Sequence, residues 1–134
     1  MPNIQNVSLK AVLDGDHMPS DNAVLIQIVD PGTDFPEPSR PFIKRHFLSF
    51  YDVGADAHLC NQITTVQATN LVHMLREALA EGHDVVVHCV AGLCRSGAVT
   101  EVGAMMGFHV VCTARLPNVL VKHRMMQVLG WTYD

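Results

Sequence analysis

Cys89 and Arg95 stand six positions apart in the stretch His88-Cys89-Val90-Ala91-Gly92-Leu93-Cys94-Arg95-Ser96-Gly97. The β-branched run Val85-Val86-Val87 precedes it and reads as a buried strand. Ala98, Val99, Val102, Met105 and Met106 follow at helical spacing. The stretch is therefore expected to be a loop running from a strand into the N-terminus of a helix. Unpaired N–H groups and the positive end of the helix dipole collect there and favour an anion. Arg95 adds a planar fork that can hold two phosphate oxygens at once. The same field would favour the thiolate of Cys89. A thiolate beneath a phosphate cradle is equipped to attack phosphorus.

Other elements must position this loop. Residues 4–13 read as a first edge strand running into a short helical turn, and 14–22 as a loop. Ala23 to Val29 is an apolar strand stopped by the turn Asp30-Pro31-Gly32. Residues 33–40 form an extended, proline-bearing loop, and a strand is expected from about 43 to 50. Lys44-Arg45-His46 on that strand reads as a solvated edge or, more pointedly, as a basic rim that attracts anions. Thr64 and Gln67 have capping-box spacing. Ala68, Leu71, Val72, Leu75, Ala78 and Leu79 then share one helical face, with Gly82 as the stop. Strand, helix and the Val85 strand make a β-α-β crossover with parallel strands. Residues 108–113 are ambiguous between strand and helix. Pro117 can open a last helix at its first turn, with Val121, Met125, Val128 and Leu129 as its apolar face and Gly130 closing it. The expected class is α/β: a central, mostly parallel, twisted sheet flanked by helices, in one domain over residues 1–134.

The loop resembles the signature of the cysteine-based protein tyrosine and dual-specificity phosphatases. Ala91-Gly92 and Arg95-Ser96-Gly97 bring it nearest the small dual-specificity branch. Val24 to Gly32, Leu48-Ser-Phe-Tyr-Asp52-Val and Arg115-Leu-Pro-Asn118 are similar to further segments of small bacterial and phage-encoded members, so the likeness runs over roughly residues 23–130. The larger tyrosine-specific enzymes carry a long N-terminal segment with a substrate-recognition loop that this sequence lacks. The resemblance implies attack by Cys89, a phosphocysteine, and oxyanion contacts from Arg95 and the backbone N–H groups of Val90, Ala91, Gly92, Leu93, Cys94 and Arg95. Ser96 would donate to the Cys89 sulfur, with capping of the following helix as its alternative role. His88 would fix the loop through hydrogen bonds rather than act as a base. Asn118 and Arg115 would buttress it.

A carboxylic acid must protonate the leaving oxygen. The candidates are Asp30, Asp34, Asp52 and Asp56. Asp30 is accounted for by its turn, and Asp34 lies among prolines. Asp52 follows the strand ending at Phe50. If that strand is parallel to the Val85 strand, its C-terminal end opens on the edge that holds Cys89. The resemblance places the acid there too, so Asp52 is preferred, with Asp56 as the alternative.

Composition limits what else the chain can do. It has 134 residues, 49% hydrophobic and 16% charged, which suits a globular domain able to bury a core without cross-links. Net charge is −4 with no basic block, so stable nucleic-acid binding is not expected. No apolar run approaches a membrane span and no leader is evident, so a cytoplasmic protein without a membrane partner is expected. The four cysteines are irregularly spaced, and neither a disulfide framework nor a metal site is expected; Cys60 and Cys112 read as packing residues. Cys94 reads as a small residue in a tight turn or as a thiol that resolves oxidised Cys89. No cofactor is required, because Arg95 and the amides supply the positive charge. The expected function is hydrolysis of phosphate monoesters on protein tyrosine and also serine or threonine, with a phosphorylated protein or peptide as partner and the oligomeric state open. The alternatives are an RNA 5′-phosphatase, a phosphoinositide phosphatase, a non-catalytic phosphate-binding module and, more distantly, a rhodanese-like sulfur transferase.

Overall fold

The computed structural model of the chain describes residues 1–54, 62–111 and 113–131. Five strands and four helices follow one another: β1 (Asn3–Ser8), α1 (Leu9–Asp14), β2 (Ala23–Val29), β3 (Lys44–Ser49), α2 (Thr65–Glu81), β4 (Asp84–Cys89), α3 (Arg95–Met106), β5 (His109–Val110) and α4 (Val119–Val128). The strands form one sheet in the order β3-β2-β4-β1-β5. Every pairing in it is parallel. The mostly parallel α/β class expected from the sequence is the one observed.

Both faces of the sheet are covered, which explains the near-continuous apolar runs of β2 and β4. Val24, Ile26 and Ile28 of β2 and Val85, Val87 and Cys89 of β4 join a core with α2, α3 and α4, through residues such as Leu71, Leu75, Val99, Val102 and Met125. The alternate residues Leu25 and Val86 meet Val7 and Val12 in a smaller cluster on the α1 side. This period-two division decides where Cys89 and His88 go: Cys89 faces the helices and His88 the opposite side. β4 is the central strand, so Cys89 ends it at the middle of the carboxyl edge, with Ser8 as its partner on β1.

The capping box of α2 is present as expected: Thr64 accepts from Gln67 N–H, Gln67 reaches back to Thr64 N–H, and Gly82 closes the helix. Two expectations are corrected and two open readings are settled. β1 is not an edge strand, since it lies between β4 and β5. Its polar residues are used in the fold: Gln5 Oε1 accepts from Met18 N–H, Asn6 is fully buried, and Ser8 caps α1. Residues 109–110, left open between strand and helix, are strand. Pro117 precedes the cap of α4 instead of opening it, because the Asn118 side chain accepts the Val121 N–H. Lys44-Arg45-His46 lies on the edge strand, as the solvated-edge reading has it, and is no rim beside Cys89. It starts β3, at the sheet end away from Cys89, and its cations are paired, Lys44 with Glu77 and Arg45 with Glu37. Cys60, Cys112 and Asp56 lie outside the described residues. Among the described residues no helix is long and apolar enough to cross a membrane.

Candidate active site

Residues 90–94 connect β4 to α3, and the carbonyls of Val90, Gly92, Leu93 and Cys94 are tied outward. Val90 O accepts from Leu9 N–H (3.1 Å), Leu93 O from Leu116 N–H (3.1 Å) and Cys94 O from Asn118 N–H (2.9 Å). Gly92 O accepts from the side-chain amide of Asn6 at 2.7 Å. A trans peptide points its N–H opposite its C=O. The four ties therefore turn the N–H groups of Ala91, Leu93, Cys94 and Arg95 to the other side. Cys94 occupies the N-cap of α3 and makes no side-chain cap bond, so the positive helix end is left to an anion.

Gly92 is required by this path. Its φ is +75°, and a Cβ there would lie 2.4 Å from Ser8 N and 2.4 Å from Val7 C. Backbone atoms of the central sheet cannot yield as a flexible side chain would. Gly92→Ala is expected to lower stability by at least about 2 kcal/mol in urea titration and to abolish oxyanion binding. Gly82→Ala is the contrast: φ is +72° but nothing lies within 4 Å, so only the local backbone strain, about 1–2 kcal/mol, should be lost.

Cys89 is 2% exposed, at the floor of the loop. Its Sγ lies 3.1 Å from Ser96 Oγ. Ser96 is the second residue of α3 and does not cap it, which removes its alternative role. Arg95 is 4% exposed. Its Nη1 donates to Asp30 Oδ1 at 2.8 Å and to Phe50 O at 2.7 Å. Its Nε is buried without a partner among the described residues. A buried guanidinium anchored at Nη1 with Nε unsatisfied leaves an edge of the fork for an incoming acceptor.

The loop faces a cavity of about 330 Å³ lined by Asp30, Tyr51, Asp52, Val53, Val90 and Arg95. Asp52 is exposed there, and its Oδ1 accepts from Asn118 Nδ2 at 2.6 Å. Asn118 also donates to Val53 O at 3.2 Å, so one residue ties the Asp52 segment, the loop and α4 together. The side chain of Arg115 turns away, to Glu101 and Thr113 O, and only the backbone of its neighbour Leu116 meets the loop. Cys94 borders Asp52 as well. Burial first, and then the Asp52 carboxylate, raise the pKa of its thiol. The shift disfavours the thiolate that a resolving role needs.

His88 is fully buried, with Nδ1 3.3 Å from Cys89 O and Nε2 3.2 Å from Gln27 Nε2. Burial, assisted by the charges of Arg95 and Arg45 and opposed by the bond to Cys89 O, lowers its pKa to about 4. It is neutral at pH 7 and enclosed, in keeping with a structural rather than a basic role.

Sequence reasoning placed Cys89, Arg95, Ser96, Asp52, His88 and Asn118 together, and all six meet around this loop. It missed Asp30, which it assigned to a turn. Asp30 does accept Thr33 N–H through its carbonyl, but its carboxylate holds Arg95. It also missed Asn6 and Gln27; the signal for Gln27 was a single polar residue in an otherwise apolar strand.

No family model and no curated protein matches the sequence. Among solved structures the chain is similar to OH1 from the Orf virus, described as a tyrosine phosphatase with distinct structural features and triple substrate specificity. The TM-score is 0.55 at 23% identity, over 79% of this chain. The chain spans 57% of the length of that protein. The fold is thus that of a dual-specificity-like phosphatase.

Proposed function

We propose that the chain is a cysteine-dependent phosphatase that hydrolyses phosphate monoesters of proteins, phosphotyrosine foremost and phosphoserine or phosphothreonine as well. The observation that carries this is the pair Cys89 Sγ and Ser96 Oγ, 3.1 Å apart, at the floor of a loop that ends on Arg95 and an uncapped helix. In the first step Cys89 Sγ bonds to phosphorus as the bond from phosphorus to the leaving oxygen breaks. Asp52 gives that oxygen its proton. The loop N–H groups and Arg95 hold the equatorial oxygens throughout. In the second step the Asp52 carboxylate takes a proton from water, the oxygen bonds to phosphorus, and the sulfur leaves as a thiolate to which Ser96 donates. Inorganic phosphate is released, and Asp52 carries the proton again.

Among the described lining residues Arg95 is the one cationic side chain, and Asp30 already pairs with it. Tyr51, Val53 and Val90 form the remaining wall beside two carboxylates. Such a mouth favours a single phosphate on a largely apolar or cationic peptide over a polyanion such as RNA or a phosphoinositide headgroup. The fold shared with a tyrosine phosphatase supports phosphotyrosine as the leading substrate. The test is a turnover panel of phosphotyrosine, phosphoserine and phosphothreonine peptides, a phosphoinositide and 5′-triphosphate RNA. Turnover led by the phosphotyrosine peptide is expected. Preference for either polyanion overturns the substrate assignment, and vanadate binding with no turnover of any substrate leaves a binding module.

A further inference from the structure

Three polar side chains cross the sheet on the face opposite Cys89: Arg45 of β3, Gln27 of β2 and His88 of β4. Gln27 and His88 are partners in register, and both are fully buried. Their protons can be placed by elimination. A guanidinium only donates. Arg45 Nε lies 2.8 Å from one terminal atom of Gln27, so that atom is the amide oxygen. The other terminal atom lies 2.8 Å from the Pro36 carbonyl, which only accepts, so it is the NH₂. Two separate partners thus fix the same amide orientation. The second hydrogen of that NH₂ faces His88 Nε2 at 3.2 Å. This ring nitrogen must accept, and the proton of the neutral imidazole sits on Nδ1, which donates to Cys89 O at 3.3 Å.

We infer that Arg45 and Gln27 are positioning residues for turnover: they fix the Nδ1–H tautomer of His88, and through it the carbonyl of Cys89 where strand becomes loop. The link to turnover rests on the proposed phosphatase activity; the tautomer does not. The other tautomer would set an N–H against the Gln27 NH₂ and a lone pair against the Cys89 carbonyl, so both bonds would be lost. The peptide plane that carries Cys89 O also carries Val90 N–H, so releasing one face frees a donor of the cradle. The connection between β2 and β3 supports both parts. Glu37 accepts from Arg45 Nη1 at 3.2 Å through each carboxylate oxygen, and Pro36 O accepts from Nη2 at 3.3 Å. The same connection starts at Asp30, which holds Arg95. One loop therefore orients the cation of the cradle and, through the buried relay, the backbone at the nucleophile.

The test uses the full chain labelled with ¹⁵N. Long-range imidazole spectra at pH 7 should show His88 protonated on Nδ1 alone. Gln27→Glu keeps the acceptor for Arg45 but turns a carboxylate oxygen on Nε2, and His88 should then appear at pH 7 as the imidazolium. Arg45→Met, at a partly exposed position, spares the buried amide but removes one of its two fixing partners and, with the Nη2–Pro36 O bond gone, loosens the other. It should populate both tautomers, lower kcat/KM about 10-fold or more, and weaken vanadate binding about 10-fold. A wild-type His88 protonated on Nε2, or an Arg45→Met protein with mixed tautomers but unchanged kcat/KM and vanadate affinity, overturns the inference. If the wild type turns over no substrate, the phosphatase reading falls alone, and vanadate affinity in Arg45→Met decides the positioning role.

Discussion

Replacing Cys89 with serine should abolish turnover, by about 10⁴-fold or more, and leave oxyanion binding close to wild type. The two halves of this expectation have different origins. Turnover needs a sulfur nucleophile, since a serine hydroxyl at the floor of this loop has no base beside it among the described residues: its neighbour is Ser96 Oγ, and His88 lies on the other face of the sheet, against Gln27. Binding depends on groups that the change does not touch. The carbonyls of Val90, Gly92, Leu93 and Cys94 stay tied to Leu9, Asn6, Leu116 and Asn118, and Arg95 stays anchored on Asp30 and Phe50 O. Calorimetry with tungstate or phosphate, beside steady-state rates on a phosphotyrosine peptide, checks both halves. Substantial residual activity in a clean Cys89→Ser preparation would sink the phosphocysteine mechanism. Loss of binding as well would mean that the thiol, not the backbone, shapes the cradle.

Asp52→Asn should lower kcat by about 10²–10⁴ on an alkyl or peptide phosphate, the usual worth of a positioned acid. The loss should shrink on a substrate with a strongly acidic leaving group, which departs without a proton. The cavity holds a second carboxylate, and the two can be separated. Asp30 accepts from Arg95 Nη1 at 2.8 Å, whereas Asp52 is bound by the neutral amide of Asn118. Asp30→Asn should therefore loosen the arginine and slow every substrate alike, with no dependence on the leaving group. If Asp30→Asn or Asp56→Asn gives the leaving-group-dependent pattern and Asp52→Asn does not, the acid has been misassigned.

The loop could be read from sequence because its chemistry is local. A strand run, a nucleophile, a glycine, a guanidinium and a helix occur in consecutive positions, and their spacing alone sets their relation. The same holds for Thr64 and Gln67, whose capping box closes over three residues. What escaped was set by strand order. Asp30 meets Arg95 across 65 positions, because the ends of β2 and β4 are neighbours. Nothing near Asp30 distinguishes it from an ordinary Asp-Pro-Gly turn, and it serves in both roles. Asn6 drew no notice in the sequence, yet it bonds Gly92 O and Ala114 O from the interior of the sheet. Gln27 is one polar letter in an apolar run. Its partner His88 is visible only once β2 and β4 are known to pair in that register. The short β5 was undecided for a related reason: two residues carry little periodicity, and pairing with Asn3 and Ile4 settles their state.

The outward ties of the loop carbonyls also have a thermodynamic meaning. Each tie ends on a different part of the chain: the start of α1, β1, residue 116 and the cap of α4. None of these can depart without releasing a carbonyl and swinging an N–H out of the cradle. Occupancy of the cradle and docking of these four segments are then a single linked equilibrium. An oxyanion at 100 times its dissociation constant adds about 2.7 kcal/mol to the intact form. That increment would be shared by segments up to two dozen residues from the loop in one direction and more than eighty in the other. Amide exchange should slow together at Leu9, Leu116 and Asn118, although none of the three touches the ligand. The rigidity of the site and the cohesion of the fold's first and last elements are one quantity, measured from two ends.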